Sequence, residues 1–84
     1  MNQQTIDNLA HTYSDRIRDA LIQGTSHCLD NEFIVKLCVS AIRDCITIML
    51  AAGYSEALVR LLLKTALDNA AKTIDSLRVE MAEH

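Results

Sequence analysis

The sequence predicts an all-α protein, a three-helix antiparallel bundle with a long third helix. Three observations carry that expectation. The 84 residues include no proline and only two glycines, Gly24 and Gly53, which cut the chain into three segments. Each segment repeats its apolar residues at steps of three and four, the period of one helix face. Only Tyr13, Phe33 and Tyr54 are aromatic, a composition poor in the residues that favour strands.

The first helix is expected from about Asn2 to Gln23. Asn2 or Thr5 can cap it, because a short polar side chain there accepts from a backbone N–H that lacks an intrahelical partner. Its apolar stripe is Ile6, Leu9, Ala10, Tyr13, Ile17, Ala20 and Leu21, with Asn8, Asp15, Arg16, Arg18 and Asp19 off it. Gly24 is expected to end the helix in the left-handed conformation, leaving Thr25–Asp30 as the connector. A loop this short makes the first two helices antiparallel neighbours.

The second helix is expected over residues 31–52, with Asp30 or Asn31 as its cap and Glu32 favourably placed against the helix dipole. At about 100° per residue, Lys36, Ser40, Arg43, Asp44 and Thr47 gather in a strip about 100° wide. The remaining arc of about 260° is almost wholly apolar. Two sibling helices need only about half of a circumference, so Val35, Val39, Ile46 and Leu50 are left on a flank that nothing within one chain covers. Crossing a membrane is no remedy, because Lys36, Arg43 and Asp44 sit near the middle of the segment.

After a break at Gly53-Tyr54, Ser55 is expected to cap the third helix, which runs to about Ala82. Its Leu63, Leu67, Ala70, Ile74, Leu77 and Met81 form a coiled-coil-like seam. Leu58, Leu62 and Ala66 widen the apolar face at one end. Glu56–Arg60 and Asp68–Lys72 have the acid-before-base spacing that stabilises a helix by a few tenths of a kcal/mol. The third helix is expected to outlast the other two by about two turns, so that Leu77 and Met81 overhang and pack on something outside the bundle.

Several functions are disfavoured. The formal net charge is −3, from eight Lys+Arg and eleven Asp+Glu, spread evenly over the three segments. Proteins held by the nucleic-acid backbone instead gather cations on one face. Cys28, Cys38, Cys45, His11 and His27 make neither a C-x-x-C nor an H-x-x-x-H spacing, so no metal is expected. Cys38 and Cys45 read as small core hydrophobes, and His27-Cys28 is the only pair that offers an exposed thiol. There is no glycine-rich phosphate loop and no nucleophile–base constellation, so neither catalysis nor a cofactor is expected. The N-terminal stretch has neither the basic region nor the apolar run of a signal peptide. An odd number of thiols suits a reducing, cytoplasmic setting.

What remains is association. The uncovered apolar surface points to a homo-oligomer, most simply a twofold dimer, working as a single helical domain over residues 1–84. It points to a small regulatory or adaptor protein that binds another protein through apolar helical faces, in the manner of an inhibitor or chaperone-like factor. Small proline-free helical chains of that kind occur among phage- and plasmid-encoded and other bacterial regulators, and no motif here selects one. The candidate interface is Val35, Val39, Ile46, Leu50, Leu63, Leu67, Ala70, Ile74, Leu77 and Met81, with Tyr54 as an aromatic anchor. An alternative is a helix-turn-helix DNA reader built on the Gly53 turn, using Ser55, Glu56, Ala57, Arg60, Leu61 and Lys64, a poor set for phosphates and bases. A third reading is a structural subunit of a larger assembly.

Overall fold

A computed structural model describes residues 2–82. Those residues form three helices, α1 (Gln3–His27), α2 (Asn31–Ala51) and α3 (Glu56–Ala82), and no strand occurs among them. None of these helices is long and apolar enough to cross a membrane. Packing divides the chain into two compact units, Met1–Asp44 and Cys45–His84, and each is described by itself.

Each helix begins on the local chemistry its sequence offers. Asn2 adopts an extended backbone, and its side-chain oxygen accepts from the Thr5 N–H at 2.8 Å. One carboxylate oxygen of Asp30 accepts from the N–H groups of Glu32 and Phe33 at 2.9 and 3.3 Å. The Ser55 hydroxyl accepts from the Leu58 N–H at 3.2 Å. Each cap satisfies N–H groups that the first helical turn leaves without partners.

The first unit departs from expectation at Gly24. This residue does not end α1; the helix runs one turn further, to His27, and leaves a connector of only Cys28–Asp30. Two features accompany the continuation. In the last turn the Thr25 and Ser26 hydroxyls donate to the carbonyls of Leu21 and Ile22, at 2.8–3.1 Å, so these hydroxyls are satisfied within the helix. Gly24 is also where α2 comes close: a Cβ built on it would lie 2.9 Å from Leu37 Cδ2. The glycine sits at this close approach rather than at a helix stop. Because α1 is longer than expected, α3 exceeds it by two residues rather than two turns, although it outruns α2 by six. Along α2 the half-covered positions in this unit are Ile34, Leu37, Cys38, Ser40 and Ala41. Their spacing matches one helix face turned toward α1.

In the second unit, α2 ends as expected. Gly53 has φ +99°, its N–H donates to the Leu50 carbonyl at 3.0 Å, and the Tyr54 N–H reaches back to Met49 at 3.2 Å. That pair of bonds is the Schellman arrangement, which needs a left-handed residue at this position. Just beyond it lies Val59, 3% exposed and the one buried side chain among the described residues. The greasiest helix, α2, contains no buried residue at all.

The two glycines are expected to respond to alanine with opposite signs. Gly24→Ala should raise stability by up to about 1 kcal/mol, since alanine favours a helix interior and the contacted Leu37 methyl can swing aside. Gly53→Ala should lower stability by about 1 kcal/mol, because its left-handed backbone is strained for any residue with a Cβ. Thermal melts followed by circular dichroism decide it. Destabilisation by both substitutions would mean that Leu37 cannot yield to a Cβ at Gly24.

Candidate interaction surface

The surface is assembled from helix faces that local structure leaves uncovered. On α2, Val35 and Val39 are more than half exposed and Leu50 is 44% exposed. Ile46 is half-covered, so of the four expected flank residues it is the one drawn toward a neighbour. On α3, Leu67, Ile74, Leu77 and Met81 are all exposed, as is Ala70, whereas Leu63 is half-covered. The N-terminal stripe of α1 (Ile6, Leu9, Tyr13 and Ile17) is equally open. Tyr54 is exposed in the turn between α2 and α3, where its backbone completes the helix stop and its ring is free for contact.

Magnitude distinguishes this from ordinary surface leucines. Most folded surfaces are largely apolar, so single exposed residues mean little. Here, however, Val35, Val39, Leu67, Ile74, Leu77 and Met81 are each at least 46% exposed and recur at helical spacing along single faces. At about 25 cal/mol per Å² of apolar surface, covering several such side chains is worth several kcal/mol, comparable with the stability of a small domain.

Two depressions lie on the second unit. One, of about 220 Å³, is lined by Ile46, Leu50, Val59 and Leu63, with Glu56 and Arg60 on its rim. Those two are joined by an ion pair at 2.6 Å. The other, about 350 Å³, is a shallow trough along α3 between Leu67 and Ile74, floored by Ala70 and Ala71 and bordered by Asp75 and Arg78. Both are lined mainly by apolar side chains, each with two charged residues beside them.

The charged face of α3 is paired along the helix. Glu56–Arg60 forms as expected, but the expected Asp68–Lys72 pair is replaced by Lys64–Asp68 at 3.2 Å. Asp68 has a lysine four residues to either side and its carboxylate turns to the earlier one. Arg78 lies 3.9 Å from Asp75. Arg60 and Lys64, the cations a DNA reader would extend, are each held by a carboxylate, which lowers the positive potential offered to phosphate.

The cysteines supply no centre. Cys28 and Cys38 are half-covered and Cys45 is exposed. The expectation that Cys45 sits in the core is therefore corrected: it opens the second unit on a side of α2 that α3 does not cover. Among the described residues no group of three His, Cys, Asp or Glu could hold a metal ion. The open depression at Cys28, Asp30, Glu32, Phe33 and Lys36 has its polar groups already engaged, with Asp30 capping α2 and Glu32 paired to Lys36 at 3.0 Å. Tyr13, outside the expected site, carries the Arg16 guanidinium 5.1 Å from its ring centroid, a contact that covers part of one ring face.

No family model matches the chain, and neither a curated protein nor a solved structure matches it. The geometry of the chain itself therefore defines the class: a small all-α protein whose largest distinctive feature is uncovered apolar helix surface.

Proposed function

We propose that this chain is a small regulatory or adaptor protein that acts by binding protein through its apolar helical faces. It works as a homo-oligomer, most simply a twofold dimer in which three-helix antiparallel bundles join into one larger helical body. The observation that carries this reading is the exposure of large apolar side chains along the helix faces, with Val59 as the single buried side chain among the described residues. An apolar patch this extensive on a protein in water marks a surface that something else covers. The three free cysteines suit a cytoplasmic setting, where thiols stay reduced.

Size-exclusion chromatography with light scattering tests the oligomer, which should show at least twice the 9.3 kDa chain mass at micromolar concentration. A stable monomer there would sink the proposal. Affinity capture from native lysate should then recover a stoichiometric partner protein that Leu77→Asp fails to retain. Tight binding to random duplex DNA with a steep salt dependence would instead support the helix-turn-helix alternative.

A further inference from the structure

We infer that α1 is a releasable arm: it swings away from α2 about Cys28–Leu29, uncovering one face of α2, while the second unit stays folded. The inference concerns contacts within the first unit alone and is independent of the proposed oligomer.

Coverage within the first unit is confined to one end of α1. The half-covered residues there are Leu21, Gly24 and Thr25, joined by Cys28 in the connector, the spacing of a single face over the last two turns. Against them stand Ile34, Leu37, Cys38 and Ala41 of α2, also half-covered. Earlier in α1 only Asp15 is half-covered, and it is flanked by its own-helix partners His11 and Arg18. The close approach falls at Gly24, which has no side chain to bury. No described side chain of the first unit is buried, whereas the second unit holds Val59 at 3% exposure. A segment with so few buried apolar contacts opens at a free energy below that of global unfolding.

The polar bonds permit the same motion. Gln3–Asp7, Thr12–Asn8, Thr25–Leu21 and Ser26–Ile22 all pair within α1, so release of the helix as a whole leaves them intact. The first turn of α2 rests on its own cap, Asp30, through the N–H groups of Glu32 and Phe33. Between the two helices Cys28 is extended, with φ −141° and ψ 112°, and Leu29 is 79% exposed. Rotation at Leu29 disturbs neither the last turn of α1 nor the cap of α2. Release adds Ile34, Leu37, Cys38 and Ala41 to the apolar surface that α2 already presents at Val35 and Val39.

The Cys38 thiol reports the opening. In a chain carrying Cys28→Ser and Cys45→Ser it is the sole cysteine, and its labelling by a maleimide is timed beside hydrogen exchange of residues 56–66. Cys38 should label in the folded chain, and its opening should rise with urea on a shallower slope than that of residues 56–66, because releasing α1 exposes less surface than unfolding the whole chain. Leu21→Asp, which places a charge in the α1–α2 contact, should speed Cys38 labelling roughly tenfold and leave exchange of residues 56–66 unchanged. A joint rise of both signals would overturn the inference, the chain then opening as one unit. Unchanged Cys38 labelling in Leu21→Asp would also overturn it, since α1 would not be the cover. So would labelling of the Cys38-only chain that slows as protein concentration rises, which places a second chain over Cys38. A monomeric parent chain, fatal to the oligomer, leaves these expectations in place.

Discussion

Val59→Asp is expected to unfold the second unit. Val59 is 3% exposed and stands where the first turn of α3 meets the apolar groove that Ile46 and Leu50 line. Replacing it removes a buried branched side chain, worth about 1.5–3 kcal/mol, and puts in its place a carboxylate that must either stay charged without a partner or take up a proton. Together these cost about 3–5 kcal/mol, a large share of the stability of a domain this small. The α3 dipole offsets little, since a negative charge in the first turns gains about 0.3–1 kcal/mol. Ala57→Asp, exposed on the same helix turn, isolates that dipole effect and should leave the melting temperature nearly unchanged. Circular dichroism melts of the two variants separate the outcomes. A Val59→Asp protein that melts within a few degrees of the parent would mean that this position is not the centre of the packing.

The second large effect concerns association. Ile74→Asp is expected to dissociate the proposed oligomer while leaving helical content near the parent value, because Ile74 is 46% exposed within its own chain and its open side is available to a second chain. Lys72→Ala, two residues away on the outer face, should change neither mass nor stability beyond about 0.5 kcal/mol. Leu63→Asp should do more than Ile74→Asp, losing both the assembly and part of the fold, since Leu63 is half-covered within one chain and lines the groove beside Val59. Lys64→Ala should remove only an exposed ion pair with Asp68, worth less than about 1 kcal/mol. Light scattering and melts on the four variants test this order. Equal effects from the lysine and the apolar substitutions would show that the seam is not the contact face.

Whether a variant loses assembly or fold depends on how a residue divides its contacts between its own chain and another, and that division is what periodicity does not contain. Leu63 and Ile74 stand on the same four-three seam and are indistinguishable by pattern. Only packing separates them, because the end of α2 covers the first and leaves the second open. The same holds for α2. Its apolar arc is the widest of the three, yet burial among the described residues falls on Val59 of α3, where the Gly53 stop folds the chain back on itself.

The sequence alone determined what depends on near neighbours. Helical class, the Ser55 cap and the Gly53 stop each follow from a few consecutive residues, because helix propensity and capping are satisfied within one or two turns; the other two caps are narrowed to Asn2 or Thr5 and to Asp30 or Asn31, and the structure selects Asn2 and Asp30. The Glu56–Arg60 pair is local in the same way. Tertiary structure decided the remainder: Gly24 stays helical with Leu37 of α2 close against it, and Cys45 is exposed although it lies on an apolar arc. Asp68 is a reminder that even a local pattern can offer two equal partners, Lys64 and Lys72, and leave the choice to rotamer geometry. Gly53 has the left-handed backbone that calls for glycine and Gly24 does not, and only the fold shows which is which.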